Sequence, residues 1–283
     1  MTEKTHHTYL ATAFRDACMA EITALKPGNV HIFADGHGMV VQDFIKSAEA
    51  ATPAVSKSEQ TVGQRILAAV EATRVAVGCN TNLGIVLLAA PLLKAAEEVC
   101  PNLHEALNKV LAELTVEDAI HTYQAIQLAS PGGLGSSNQY DVNSVPEITL
   151  LAAMQAAQEW DLIAKQYANG YEQIFEFSLP AYQQILSLWD RPAWVVTALY
   201  LKLLAEFPDT HIVRKFDLAI AEQVRLEAQQ HLDNILQLSN PKFYQKELLE
   251  FDLSLKSRGL NPGTTADMTV ATLLAFNLSN IHH

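Results

Sequence analysis

The stretch Val62 to Val77 reads VGQRILAAVEATRVAV, and Val62, Ile66, Ala69, Thr73 and Val77 recur in it at steps of three and four. That spacing puts all five on one face of an α-helix and on no face of a strand. The same period returns at Leu10, Phe14, Ala17, Cys18 and Leu25, and again at Ile212, Phe216, Ile220 and Val224. Trp194 to Leu204 is apolar almost all round, which predicts a central helix with no wet face. Cap-plus-proline starts are expected at Ser144-Val145-Pro146-Glu147, Asp190-Arg191-Pro192 and Asn240-Pro241. Strand signals are nearly missing. The expectation is an all-α protein of about ten to twelve helices, a single large domain over residues 1–283, with irregular stretches at 26–40, 51–60, 130–145 and 257–263.

Composition narrows what such a domain can do. Apolar residues make up 49% of the 283, enough for a real core, while no apolar run reaches the ~18 residues of a membrane span. The polar start Met1 to His7 has no apolar run behind it and does not read as a secretory signal. Three scattered cysteines, Cys18, Cys79 and Cys100, make neither a disulfide framework nor a zinc site, and a reducing cytoplasm is expected. The formal charge of −12 speaks against nucleic acid and anionic membrane as partners. A phosphate-bearing ligand would need local help from helix N-termini, placed cations or a metal ion.

Four places could carry chemistry. Glu21 lies on the apolar stripe of the first helix, where a carboxylate must be paired, metal-bound or protonated; Lys26-Pro27-Gly28-Asn29 follows it as a turn. The plain alternative there is a helix end with a lysine on its dipole. Asn80-Thr81-Asn82-Leu83-Gly84 precedes an apolar helix; any one of the three polar side chains could be an ordinary cap, and together they suit ribose or phosphate. Pro131-Gly132-Gly133-Leu134-Gly135, running on to Asp141-Val142-Asn143, lets a backbone approach a ligand, but no strand precedes it as a dinucleotide motif requires. Asn261-Pro262-Gly263-Thr264-Thr265-Ala266-Asp267 is either a capping box between Thr264 and Asp267 or a phosphate-binding helix start with Asp267 on a metal. Asp161 is a weaker fifth point that an i,i+4 pair with Lys165 would explain, and His31 with His37 reads as a solvent-facing pair before it reads as a metal pair.

In this order the segments resemble one family. EITALKPGNV from Glu21 to Val30, Gly36-His37-Gly38-Met39 with Phe44 and Ser47-Ala48, Asn80-Thr81-Asn82 with Gly84, and Asn261-Pro262-Gly263 with Ala266-Asp267 are similar to the triphosphoribosyl-dephospho-CoA synthases, from near residue 10 to near residue 275. The resemblance implies an all-helical pentosyltransferase that takes ATP with Mg²⁺, joins the ribose C1 to a hydroxyl of 3′-dephospho-CoA and releases adenine. Carried over, Glu21 and Asp267 are the catalytic and metal-binding acids. Lys26, Asn29, Asn80, Thr81, Asn82, Asn261 and Gly263 hold the nucleotide.

The chain departs from the family pattern in two places: Gly38 stands where an Asp usually precedes the Met, and Asn82-Leu83 stands where His-Lys is usual. The N-T-N-L-G form resembles the subgroup associated with tetrahydromethanopterin synthesis, which implies a ribitol-bearing precursor as the other possible acceptor. The rival readings are a nucleotide N-glycosidic hydrolase and an inactive nucleotide-binding module. A homo-oligomer is possible.

Overall fold

The computed structural model describes residues 3–98, 102–131 and 141–280. Among them run α1 (Glu3–Thr23), α2 (Val41–Val55), α3 (Val62–Val77), α4 (Leu83–Ala96), α5 (Leu103–Ala112), α6 (Val116–Ala129) and α7 (Leu150–Ala157). Then follow α8 (Leu162–Ala168), α9 (Leu179–Leu186), α10 (Pro192–Glu206), α11 (Thr210–Lys215), α12 (Leu218–Leu236), α13 (Gln245–Ser257) and α14 (Gly263–Ser279). A π-helical turn spans Gln173–Ser178 and a 3₁₀ turn Pro241–Tyr244. The only β features among the described residues are two isolated bridges, His31 with Ala34 and Gly36 with Met39. The all-α expectation holds, with more and shorter helices than the periodicity suggested.

Three helices form the centre, and each is there because it has no polar face to keep wet. From Ile85 to Ala96, α4 buries every residue but Lys94. α10 buries Val195 to Leu201, as its apolar sequence predicts; the ammonium of its Lys202 lies 5.0 Å over the Phe177 ring, a cation–π contact. α14 packs against α1, α4 and α10 and buries Met268 to Ala275 without a break. Each fully buried leucine here contributes on the order of 2 kcal/mol. α2, α3 and α6 form a flanking layer. α3 and α6 cross closely because Gly63 has no side chain: a Cβ there would meet the Asp118 backbone at 2.5 Å. Two of the candidate acids stand at helix ends that reach this centre: Glu21 in the last turn of α1, which packs against α14, and Asp267 near the start of α14.

Local readings fared unevenly. Asn240 caps the 3₁₀ turn, its side chain accepting from Lys242 N–H, and Pro192 opens α10 with Arg191, not Asp190, at the cap. The start expected at Ser144 to Glu147 is not a helix: α7 begins at Leu150, capped by Thr149, whose hydroxyl accepts from Ala152 N–H. Residues 51–55, expected to be irregular, complete α2 with Pro53 inside its last turn. The stripe Ile212, Phe216, Ile220, Val224 is not one helix face. The chain breaks at Phe216, which is 44% exposed, because Asp217 caps a new helix by accepting from Ile220 N–H. Two helices that follow with a gap of two residues preserve a repeat of four, so spacing alone does not detect the break. Gly132 to Tyr140, with most of the glycine-rich candidate, lies outside the described residues. Among the described residues no helix is long and apolar enough to cross a membrane, and Cys18 and Cys79 are free thiols.

Candidate active site

The C-terminal end of α1 and the N-terminal ends of α4 and α14 meet around a cleft of about 490 Å³. Glu21, Asn29, Asn80, Thr81, Asn82, Asn261, Gly263 and Asp267 all line it, as does Pro131 from the edge of the glycine-rich segment. Positions up to 246 apart in sequence thus share one wall, as the motifs imply. The junctions between motifs are made by glycines. A Cβ on Gly84 would overlap the Asp267 carboxylate, and one on Gly28, where φ is +84°, would meet Pro262 Cδ at 2.8 Å. Gly263 is bare for the same reason, with His211 Nδ1 2.5 Å from where its Cβ would stand.

Lys26 is the exception among the candidates. It is fully buried, does not line the cleft, and donates to the Glu21 carboxylate and, at 3.2 Å, to Asn29 Oδ1. Asn29 Nδ2 in turn donates to Asn261 Oδ1 at 2.8 Å, which ties the first motif to the last. Lys26 therefore stands behind the wall and positions Glu21 and Asn29, where the resemblance had implied a nucleotide contact. Burial pushes the Glu21 carboxyl up and the Lys26 ammonium down from their ordinary values, and each partner opposes the other's shift.

Asp267 is held differently. No hydrogen bond or ion pair from the described residues reaches its carboxylate, and burial, then the negative charges of Asp209 and Glu21, drive it well above the usual carboxylate range. It does not form the alternative capping box, since α14 has no side-chain cap and Thr264 shares its hydroxyl with Thr210 at 3.1 Å. The job of a cap falls to Asp209, a residue with no signal in the sequence beyond its place before a short helix. One Asp209 oxygen accepts from His211 and Ile212 N–H; the other accepts from Thr265 N–H at 2.7 Å and the Thr265 hydroxyl at 2.8 Å. Burial still raises its carboxyl above the usual value.

The Asn-Thr-Asn side chains each have a partner within the chain. Asn80 Oδ1 accepts from Leu83 N–H at 3.1 Å, the first amide of α4, whose cap position is Asn82; the Thr81 hydroxyl meets Ser47 Oγ at 2.5 Å; Asn82 Nδ2 donates to Thr73 Oγ1 at 2.9 Å. These bonds fix the cleft edge while leaving the second polar atom of each asparagine for a ligand.

The basic side chains at the cleft were not legible in sequence. Arg74 ends α3, and His211, Arg214 and Lys215 occupy the single long turn of α11; all four line the cleft with His37. Asp161 pairs with Arg214 at 3.5 Å and caps α8, accepting from Ile163 and Ala164 N–H, so the expected pair with Lys165 is replaced. Burial, helped by Arg214, Lys215 and His37, pushes His211 down to about 3 and keeps its imidazole neutral. The solvent-facing reading of His31 is overturned: it is fully buried with Nε2 3.4 Å from Asp252 Oδ1, while Nδ1 accepts from Phe33 N–H. Asp252 also accepts Gly28 N–H at 2.8 Å and the Lys256 ammonium at 3.0 Å, bracing the Lys-Pro-Gly-Asn turn from behind. His37 is exposed and holds Gly28 O at 2.8 Å, so the two histidines serve that turn rather than a shared metal.

A family model of ATP:dephospho-CoA triphosphoribosyl transferases matches residues 7–283. The chain belongs to this family. It is therefore a pentosyltransferase, whose family reaction passes a triphosphoribosyl unit from ATP to dephospho-CoA. A crystal structure from Archaeoglobus fulgidus, provisionally assigned as a triphosphoribosyl-dephospho-CoA synthase, superposes with a TM-score of 0.63 at 26% identity, covering 81% of this chain and 96% of that one. No curated protein matches the chain. The cleft thus brings together two acids, Glu21 and Asp267, the cations Arg74, Arg214 and Lys215, and the side-chain amides of Asn29, Asn80, Asn82 and Asn261.

Among the described residues no group of three or more His, Cys, Asp or Glu side chains is arranged to hold a metal by itself. Two carboxylates are nevertheless enough for Mg²⁺, which keeps waters and takes the rest of its shell from substrate phosphate. Asp267, with no partner of its own, and the second oxygen of Glu21 fit that pattern.

Proposed function

We propose that the protein transfers the triphosphoribosyl unit of ATP to a sugar or sugar-alcohol hydroxyl of an acceptor, with release of adenine. The observation that carries this reading is that Glu21, buried, and Asp267, half-buried, two acids from opposite ends of the chain, face one cleft rimmed by Arg74, Arg214 and Lys215. In the reaction the bond from ribose C1 to the base breaks, a bond from C1 to the acceptor oxygen forms, and the hydroxyl proton is balanced by one taken up on the leaving base. Positive charge grows on C1 as the base departs, and carboxylates aimed at it stabilise it more in a dry cleft than in water.

Glu21, held in place by Lys26, faces C1 and accepts the acceptor's proton. Arg74, Arg214 and Lys215 hold phosphate oxygens, and Asn29, Asn80, Asn82 and Asn261 orient ribose. Mg²⁺, held by Asp267 and Glu21, would offset triphosphate charge when bound. Thr81 and Gly263 shape the wall.

The acceptor follows from what stands at the departures. Leu83 is 8% exposed and lines the cleft where a lysine is usual, and Gly38, with φ of +77°, has open space where an acid is usual. An acceptor with less phosphate than 3′-dephospho-CoA, such as a ribitol-bearing tetrahydromethanopterin precursor, suits that surface better. The test is chromatography of adenine, ADP and phosphate from ATP and Mg²⁺ across a panel of acceptors. Adenine that appears only with an acceptor, and faster with the ribitol compound, is expected. Rapid adenine release without acceptor would instead make the protein a hydrolase, and ADP without adenine would end the glycosyl-transfer reading. No product with any acceptor would leave a binding module.

A further inference from the structure

Resting on that transfer reading, we propose that a second compartment beside the cleft receives an uncharged, amine-bearing aromatic ring of the acceptor, with the Thr122 hydroxyl as its hydrogen-bonding partner. The compartment has a volume of about 210 Å³ and is walled by α6, α7 and α8, with Tyr123, Leu150, Met154 and Trp160 on its surface. That is too small for a whole drug-sized ligand but larger than the ~150 Å³ that suffices for a benzene ring. It joins the cleft at a neck where Leu87, Ile126, Ile163 and the Asp161–Arg214 pair line both spaces.

Thr122 gives the compartment its polar specificity. It is fully buried in the wall, and its hydroxyl has no hydrogen-bond partner among the described residues. Thr12, Thr52, Thr197, Thr269 and Thr272, also within helices, each donate to the carbonyl four residues back. Thr122 departs from that habit, and a buried hydroxyl left unpaired is costly unless a ligand completes it. Asp141, also in the lining, favours a ring that carries N–H donors and disfavours an anionic one.

The occupant is the acceptor because the donor's base is bonded to the reacting carbon and so must sit against Glu21 and Asp267. Neither acid lines this compartment, and neither does any residue of the Asn-Thr-Asn or Asn-Pro-Gly segments. A site walled off from the reacting groups by a neck selects the second substrate without touching the chemistry.

Binding, measured by calorimetry without turnover, tests this separately from the reaction. The variants are Thr122→Val, which removes the hydroxyl at constant volume, and Ala157→Leu, which fills the space. The probes are ATP, 3′-dephospho-CoA, a ribitol-bearing aminobenzene, and 4′-phosphopantetheine as an arm lacking the ring. Both variants should weaken the two ring-bearing acceptors about tenfold, while ATP and the ringless arm change by less than about twofold. Equal weakening of ATP would place the donor base there and overturn the assignment, as would unchanged acceptor affinity or a wild-type protein that binds neither acceptor. Ring-dependent binding that is lost in the variants of a protein releasing no adenine would uphold the compartment and defeat the transfer reading.

Discussion

Glu21 and Lys26 form a buried pair whose members cannot be judged separately. Removing one partner of such a pair leaves a buried charge and costs about 3–5 kcal/mol, whereas replacing both with neutral groups costs much less. Glu21→Gln should therefore abolish turnover and also lower stability, and Lys26→Met should destabilise comparably. The double variant should recover most of the stability and none of the activity. Urea unfolding and adenine release on the three variants check this; an active Glu21→Gln protein would remove Glu21 from the chemistry. His211 makes a second prediction at this scale. Its folded value of about 3 lies below the ordinary histidine value near 6.5, so the unfolded chain takes up a proton that the folded chain refuses. Its contribution is complete above about pH 6.5 and is lost as pH falls toward 3. Glu21, Asp209 and Asp267 shift the opposite way, so the readout is a difference: between pH 7.5 and pH 5, wild type should lose more stability than His211→Gln. Equal losses would show that the imidazole is not held neutral.

The ends of α4 and α14 are interlocked through Gly84, and this contact explains a glycine that N-capping does not require. With the Asp267 carboxylate where a Cβ would stand, Gly84→Ala must push Asp267 aside or separate the two helix ends. Displacement of a catalytic group by about 1 Å can cost on the order of 100-fold in rate. Gly84→Ala should accordingly lower kcat by that order, while helix content in CD is unchanged and thermal stability falls only modestly. A fully active Gly84→Ala would mean that the position of Asp267 does not matter. α11 shows the converse: six residues long, it carries little intrinsic stability, and Asp209 holds it against α14 by capping both. Through it His211, Arg214 and Lys215 are brought to the cleft as a set.

At the scale of the molecule, a net charge of −12 opposes a triphosphate that Arg74, Arg214 and Lys215 attract locally. Three partly solvated cations under-neutralise it, and their attraction is screened by salt. ATP should bind at least tenfold more tightly with Mg²⁺ than with excess chelator, and the chelated affinity should fall steeply between about 50 and 200 mM salt. Equal affinities by calorimetry would argue against a metal-bridged complex.

Much of this protein was legible in one dimension. The helical period at Val62 to Val77 and the apolar run at Trp194 to Leu204 determine α3 and α10, because burial of a helix face is a local pattern. Glu21 declares itself by lying on an apolar stripe, where a carboxylate needs a reason to be. Tertiary structure alone decided the rest, because the cleft is made of helix ends and its parts meet across as many as 246 positions. Arg74 and Arg214 look like ordinary last-turn cations until their helices are placed. Asp209 looks like the cap of one short helix until a second is found on its other oxygen. Lys26, beside a Pro-Gly turn, reads as a phosphate contact until burial puts it behind the wall. Thr122 has no sequence signal, since a missing hydrogen bond exists only in three dimensions. A chain's periodicity states which side of each helix is buried; which helix ends then face one another depends on packing between segments that share no local pattern.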